Sequence, residues 1–170
     1  MSCHVGIDVG LDGAVVAIIN DATHKWVADS EYTYRISTKN GKKDYLTTAM
    51  RDILRNIEDL SMETSGNLII VLEKQTAMPG QGVTSMFRLG KGFGIWEGLL
   101  TGMRLPYKVV SAREWQSTIC KGYAGDTKTR SIAAASNLLP ELSLMRTNGC
   151  KTPHSGIADA ACMALYARGL

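Results

Sequence analysis

The sequence predicts an α/β protein in which helices flank a mixed β-sheet. Short β-branched segments stand on both sides of a glycine-rich turn near the start, and a continuous apolar segment near the middle ends in a charge. Amphipathic segments of helical period alternate with the later strands, which favours parallel pairing. The chain has 170 residues, 45% of them hydrophobic and 21% charged, which suits one domain spanning residues 1–170.

The first three strands are predicted to be antiparallel. Val5–Ile7 and Ala14–Ile19 are rich in β-branched residues and are joined by a glycine turn, which is typical of a hairpin. Trp26–Tyr34 is expected to add a third strand. Apolar residues then recur at helical spacing over residues 45–60, so we expect an amphipathic helix there with Asp44 as its cap.

The second half is predicted to contribute parallel strands and the remaining helices. Residues 67–74, NLIIVLEK, form the continuous apolar run that is typical of a strand buried on both faces, and PYKVV predicts another short strand. A capping box beginning at Ser111 marks one helix start. Asp126 is expected to cap a helix that Pro140 ends, and the last helix covers residues 156–167.

Three carboxylates stand where an apolar residue would stabilise the core better. Asp8 interrupts the first strand, Glu73 ends the buried strand, and Asp159 lies in the apolar last helix. If those two strands are neighbours, Asp8 and Glu73 meet at one edge of the sheet, and the last helix could bring Asp159 beside them. Converging carboxylates repel one another unless one holds a proton, so the pattern predicts Mg²⁺ or Mn²⁺ at this edge.

Each acid also has a structural interpretation. An aspartate in a D-x-G turn is usually structural, Glu73 could pair with a neighbouring cation such as Arg88, and Asp159 could be the first-turn acid of its helix. The joint occurrence of three misplaced acids in this strand order favours a two-metal site for in-line phosphoryl displacement.

Several motifs together resemble the RuvC-type Holliday junction resolvases, and the phage and organellar branch of that family most of all. They are GIDVGLDGA, VLEKQTAMPGQG with the following FRLGKGFGIWEGLL, VVSAREWQ, and HSGIADAACMALYARG, in the right order over nearly the whole chain. The resemblance implies the ribonuclease H-like fold. It further implies a homodimeric, Mg²⁺- or Mn²⁺-dependent endodeoxyribonuclease that nicks four-way DNA junctions in pairs and leaves 5′-phosphate and 3′-hydroxyl ends.

Carried over by motif, Asp8, Glu73 and Asp159 would be catalytic metal ligands. The family usually places a further acid, or a histidine, shortly before the last of these. The corresponding stretch here is PHSGIAD, which makes His154 the candidate and puts Ser155 where close relatives often have aspartate. His154 could bind metal, transfer a proton or touch the scissile phosphate, and its structural interpretation is a loop histidine near a helix start.

Two sets of side chains are expected to contact DNA. Basic residues near the glycine-rich helix and around the loop before the Asp126-capped helix could hold phosphates. They are Arg88, Lys91, Lys121, Lys128 and Arg130. Some relatives push an aromatic side chain from near the second acid into the junction, and here the available probes of unstacked bases are Gln75, Met78 and Phe87. Trp96 and Trp115 are interpreted as core residues.

A ridge of small residues is predicted along one helix face. Gly90, Gly94, Gly98 and Gly102 recur every four residues. Such a ridge allows close approach of another backbone, which could be the sheet of the same subunit, a second subunit or a DNA strand. Packing within the subunit or in a dimer is favoured.

Other functions remain open from the sequence. A D-x-G turn after a strand also occurs in actin-like ATPases, which an ATPase assay would separate. Ser155 favours a junction-binding protein without activity, and a nuclease of the same fold could act on RNA–DNA hybrids, flaps or other branched DNA. No apolar run reaches about 18 residues without charge, so no membrane association is expected and the protein should be cytoplasmic and nucleoid-associated.

Overall fold

The computed structural model describes residues 2–35, 43–63, 67–77 and 79–170. The strands are β1 Ser2–Ile7, β2 Ala14–Ile19, β3 Ala22–Val27, β4 Thr33–Arg35, β5 Lys43–Tyr45, β6 Asn67–Glu73 and β7 Tyr107–Val110. The helices are α1 Thr47–Glu63, α2 Val83–Gly102, α3 Ala112–Ile119, α4 Thr127–Leu138 and α5 Ser155–Arg168, and one π-helical turn covers Ala28–Tyr32.

A five-stranded mixed sheet in the order β3-β2-β1-β6-β7 forms the centre of the fold. The strands β1, β2 and β3 are antiparallel, whereas β6 runs parallel to β1 on one side and to β7 on the other. This arrangement confirms the predicted mixed sheet with an antiparallel first part and a parallel second part. It also sets the carboxyl ends of β1 and β6 side by side.

Helices cover both faces of the sheet because the strands are apolar on both faces. Alternate residues of β2 divide between two buried clusters, with Val16 and Ile18 packed beside α4 and α5, and Val15 and Ala17 packed beside α1 and α2. The helix α5 lies directly on β1 at Gly6, where a Cβ atom would stand 2.1 Å from the Ala160 carbonyl oxygen. Only glycine permits that approach.

The third strand starts and ends earlier than the predicted range 26–34. Asn20 and Asp21 have φ angles of 48° and 70° and form a tight turn, so β3 starts immediately after β2. The Glu31 carboxylate accepts a hydrogen bond from the Val27 N–H at the other end of β3. The chain leaves the sheet there through the π-helical turn, and β4 pairs with β5 in a separate two-stranded sheet.

The predicted cap at Asp44 is wrong, because this residue lies in β5 and α1 begins later, at Thr47. The Asp44 carboxylate pairs instead with Lys91 of α2, with Nζ–Oδ1 at 2.6 Å. The other two caps are confirmed. A capping box at Ser111 starts α3, and the Asp126 side chain accepts the hydrogen bond that starts α4.

The small-residue ridge of α2 faces away from the sheet of its own subunit. The buried side of the helix consists of Gly92, Trp96 and Leu100. A Cβ atom at any of the four ridge glycines 90, 94, 98 and 102 would meet nothing within 4 Å among the residues described. Of the two favoured alternatives, packing inside the subunit is therefore ruled out for the described residues, while packing in a dimer stays a prediction, as does contact with DNA.

None of the helices in the described part of the chain is both long and apolar enough to cross a membrane.

Candidate active site

Two acidic residues meet where the central parallel strands end. Ile7 of β1 lies opposite Leu72 of β6, so the residues that follow them, Asp8 just after β1 and Glu73 at the end of β6, lie at the same end of the two strands. Asp159 stands in the second turn of α5, the helix that packs on β1. We call Asp8, Glu73 and Asp159 the carboxylate cluster, and each of the three is half-buried.

The members of the carboxylate cluster repel one another. Burial raises the pKa of Asp8 to about 8, and the negative charges of Glu73 and Asp159 contribute to that increase. Burial also raises the pKa of Asp159 to about 6. The Ser131 side chain lowers this pKa through a hydrogen bond, the charge of Glu73 raises it further and that of Lys128 lowers it. A single backbone donor, the Gly10 N–H at 3.3 Å, acts in the opposite direction on Asp8. The cluster is therefore short of positive charge.

Glu73 is the member of the cluster that the protein itself holds in place. The Trp115 indole Nε1 donates to its Oε1 at 3.2 Å, and the Gln75 amide Nε2 donates to its Oε2 at 3.2 Å. Burial raises the pKa of Glu73, and these two hydrogen bonds lower it. Trp115 is a core residue, as predicted, and also directs its N–H at this carboxylate. DNA contact by Gln75 stays a prediction.

Asp159 has an oxygen atom without a donor. Its Oδ1 is buried and accepts no hydrogen bond from any residue that the structure describes. A buried polar atom without a partner destabilises the fold by about 1–3 kcal/mol. Either a proton or a cation bound at this position would remove that cost.

The donor set suits a hard divalent cation, because three carboxylates supply the oxygen ligands that Mg²⁺ and Mn²⁺ prefer. Within residues 2–35, 43–63, 67–77 and 79–170, no group of three or more histidine, cysteine, aspartate or glutamate side chains is already arranged so that it could hold a metal ion. The three side chains would have to turn toward a cation for it to be held. The chemistry of the cluster fits the predicted metal, but its described side chains are not arranged around a position where a cation could bind.

His154 acts as the N-cap of α5. Its Nδ1 accepts a hydrogen bond from the Ile157 N–H at 3.3 Å. Burial and the charge of Arg146 lower the pKa of His154, so the ring is neutral and its proton lies on Nε2. In this orientation His154 can donate a hydrogen bond from Nε2 but offers no ring lone pair to a metal. The charges that act on the ring are those of Arg146, Asp12, Asp29 and Lys43.

Gly156 holds the start of α5 against the loop that carries Asp8. A Cβ atom at this position would stand 2.6 Å from the Asp12 carbonyl oxygen and 2.9 Å from Asp8 Oδ2. The sequence analysis missed this residue. The available signal was a glycine, unfavourable inside a helix, in the first turn of the helix that bears Asp159.

The basic candidates on α2 lie beside β5 and the loop after β1. Lys91 is paired with Asp44, and Arg88 lines a small hollow with Leu11 and Tyr45. Phe87 is 73% exposed, which is unusual for an aromatic side chain. The remaining candidate from this region, Met78, lies outside the described residues.

The three basic candidates around the start of α4 have different surroundings. Lys121 and Lys128 are exposed, and the charge of Lys128 lowers the pKa of Asp159, so this lysine lies on the side of the carboxylate cluster. Arg130 instead donates from its guanidinium to the Cys120 carbonyl oxygen at 3.0 Å and joins α4 to the end of α3.

A second group of charged residues includes Asp12 of the loop that carries Asp8, and we call it the ion-pair network. Lys43 Nζ stands 2.5 Å from Asp12 Oδ1 and 2.6 Å from Asp29 Oδ1. Arg146 completes the group through a 2.6 Å contact with Asp29 Oδ2. Sequence reasoning did not find this network, because its members are separated by loops in the chain.

No protein-family model matches the chain. No curated protein matches it either. Among solved structures, Thermus thermophilus RuvC in complex with a Holliday junction substrate has a TM-score of 0.58 at 13% identity, over 99% of this chain and 96% of that chain. A second Thermus thermophilus RuvC structure has a TM-score of 0.49 at 12% identity, over 98% and 96%. The chain thus has a RuvC-type fold, with the mixed sheet and flanking helices that the motifs implied.

Proposed function

We propose that this protein is an endodeoxyribonuclease that cuts four-way DNA junctions, with the carboxylate cluster as its catalytic centre. The observation that carries the proposal is the convergence of three carboxylates, two at the ends of neighbouring parallel strands and the third on the helix packed against them. They occur in a fold that matches, over nearly its whole length, a RuvC bound to a Holliday junction. Fold alone does not define a function, so the proposal depends on the cluster.

Asp8, Glu73 and Asp159 would hold the divalent cation, Mg²⁺ or Mn²⁺ in its place. Bound there, it would supply positive charge to the phosphodiester and to the leaving oxygen, and would lower the pKa of water. The unpartnered Oδ1 of Asp159 and the raised pKa of Asp8 support this role, since both describe a site that lacks positive charge.

The other site residues would bind and orient the DNA. Lys128 and Lys121, exposed beside α4, would contact phosphates near the carboxylate cluster. His154 would donate from Nε2 to a phosphate oxygen. Phe87, exposed at the start of α2, would stack on a base that the junction leaves unpaired. The basic side chains of Arg88 and Lys91 would contact the backbone of the same arm.

A homodimer would provide two such sites. The exposed glycine ridge of α2 is a surface on which a second copy could pack closely, because no side chain of this subunit covers it within the described residues. Two-fold symmetry of the enzyme would match that of the junction and give paired nicks with 5′-phosphate and 3′-hydroxyl ends.

The test is cleavage of a labelled immobile four-way junction, compared with duplex, flap and RNA–DNA hybrid substrates. Wild type and Asp8→Asn are assayed with Mg²⁺, Mn²⁺ or EDTA. We expect paired, cation-dependent nicks on the junction alone and none with the variant, which should still bind the junction. Equal cutting of flaps or hybrids would indicate a broader nuclease of the same fold. Binding without cutting would indicate a recognition protein and would contradict the proposal.

A further inference from the structure

We infer that Trp115 is a positioning residue of the carboxylate cluster, which fixes the Glu73 carboxylate through its indole N–H. Its enzymatic readout rests on the proposed function, whereas its spectroscopic readout does not. Trp115 Nε1 donates a hydrogen bond to Glu73 Oε1 at 3.2 Å.

An indole N–H is suited to this task. It donates one hydrogen bond and accepts none, so it can neither bind a metal nor exchange a proton with the carboxylate. The Trp115 side chain is fully buried, and the surrounding apolar cluster fixes its ring. The donor therefore has one direction, and Glu73 Oε1 lies along it.

Local structure sets the position of Trp115 relative to Glu73. Glu73 pairs with Val110, the last residue of β7, and the next residue, Ser111, starts α3. The capping box between Ser111 and Glu114 fixes that start, with the Ser111 N–H donating to Glu114 Oε2 at 2.9 Å. Trp115 follows in the first turn of the helix, so two short connections tie its ring to the end of the strand that bears Glu73.

The second oxygen of Glu73 is held by the segment that directly follows β6. Gln75 Nε2 donates to Oε2 at 3.2 Å and to the Glu73 carbonyl oxygen at 3.4 Å. A carboxylate has about four lone-pair sites, so one donor on each oxygen orients the group and leaves lone pairs for a cation. Donors that orient ligands in this way are the outer partners that metal sites need.

The chain contains a matched control. Trp96 is also fully buried, but its Nε1 has no hydrogen-bond partner among the described residues. Replacing either tryptophan with phenylalanine removes the N–H and keeps a buried ring. At position 96 the substitution removes an N–H that donates to none of the described residues, whereas at position 115 it removes the hydrogen bond to Glu73.

The first experiment compares Trp115→Phe with Trp96→Phe in junction cleavage. We expect Trp115→Phe to lower kcat about 10- to 100-fold and to raise the Mn²⁺ concentration needed for half-maximal rate, with KM for the junction unchanged. Trp96→Phe should cut like wild type. Thermal unfolding of both variants controls for loss of structure. Equal kinetics of the two variants, in a protein that cuts junctions, would overturn the inference.

The second experiment needs no Trp115 variant and no activity. In ¹⁵N-labelled protein, the indole N–H signal of Trp115 should move upfield in Glu73→Gln, because a neutral amide oxygen is a weaker acceptor than a carboxylate. Mg²⁺ should move the same signal in wild type and leave that of Trp96 in place. An unchanged Trp115 indole signal in Glu73→Gln would refute the inference, whether or not the protein cuts junctions.

Discussion

The carboxylate cluster and the ion-pair network both contain acidic residues, but they differ in whether cationic side chains of the protein neutralise them. In the network, Asp29 meets both Lys43 and Arg146, and Lys43 also meets Asp12. In the cluster, the main electrostatic influence on Asp8 apart from burial is the negative charge of Glu73 and Asp159. Asp12 lies in the same loop as Asp8 and contributes to the raised pKa of Asp8, so the two groups are neighbours that differ in the charges their acids meet.

The comparison shows which acids the fold uses for its own stability. An acid that contacts two cations is neutralised within the chain, and it contributes to the packing of the loops that carry it. Glu73 raises the pKa of both Asp8 and Asp159, so the three acids destabilise the fold when all are ionised, and a bound proton or cation would remove that cost. A cation is the ligand that this deficit suits.

The largest expected effect is on junction cleavage, and it distinguishes a substitution in the carboxylate cluster from one in the ion-pair network. Asp8→Asn should lower junction cleavage by at least about 100-fold, the upper loss found when outer partners of a metal are removed. Asp29→Asn should cut like wild type but should lower the free energy of unfolding by about 1–2 kcal/mol, because two cations lose a partner. Cleavage assays and urea unfolding measure both, and a comparable loss of cleavage in Asp29→Asn would abolish the distinction.

The next effect is on the pH dependence of stability in EDTA. An aspartate titrates near pH 3.9 in the unfolded chain, whereas the folded pKa is about 8 for Asp8 and about 6 for Asp159. Between these values the native state holds more protons than the unfolded state, so stability should fall as pH rises from about 4 to about 8. The fall should be at most about 8 kcal/mol, since one pKa unit corresponds to about 1.4 kcal/mol and the folded values lie about four and about two pH units above the unfolded one.

Urea unfolding at several pH values measures this slope, and Asp8→Asn is the matched variant. Removing the carboxylate should leave stability higher than wild type above about pH 8 and similar to it near pH 4. Mg²⁺ should flatten the wild-type curve. A wild-type curve that rises toward pH 8 in EDTA would mean that the cluster already has internal partners.

A smaller effect concerns the close backbone contact at the cluster. Gly156→Ala should lower the free energy of unfolding by about 1–3 kcal/mol, because the added methyl group overlaps Asp8 Oδ2 and the Asp12 carbonyl oxygen. Since the cause is steric, high salt should not reduce the loss, in contrast to losses within the ion-pair network. Wild-type stability in Gly156→Ala would show that α5 does not rest on this loop.

The smallest effect belongs to the exposed edge of the network. The Asp12 side chain is 71% exposed, and Lys43 keeps Asp29 when Asp12 is lost. Asp12→Asn should therefore change the free energy of unfolding by less than about 1 kcal/mol, and salt should erase the change. Chemical denaturation at low and high salt checks this, and a larger, salt-resistant loss would contradict it.

Sequence reasoning succeeded where local patterns decide the structure. The continuous apolar run ending at Glu73 and the alternation of later strands and helices were sufficient for the mixed sheet, and the neighbouring strands then brought Asp8 and Glu73 to one edge. The caps at Ser111 and Asp126 follow from contacts within four residues. Their geometry does not depend on the rest of the fold.

It failed where a side chain's role depends on the packing of distant elements. The direction of the Trp115 N–H depends on how α3 packs against β6. Asp44 was predicted to cap a helix, but it forms an ion pair with Lys91, which is distant in the chain. For the glycines of α2, the sequence analysis left packing inside the subunit and packing in a dimer as joint alternatives, and the first is ruled out for the described residues. The apolar residues Trp96 and Leu100, spaced by four, already identified Gly92 as the buried glycine, and the exposed ridge follows from that helix rotation.

The central claim, that the carboxylate cluster is completed by a cation, is tested most directly by calorimetric titration of Mn²⁺ into metal-free protein at about pH 8. Wild type and Asp29→Asn should bind with the same affinity, while Asp8→Asn and Glu73→Gln should lose binding at the same concentrations. Undiminished binding by Asp8→Asn, or absence of binding by the wild type, would contradict the account.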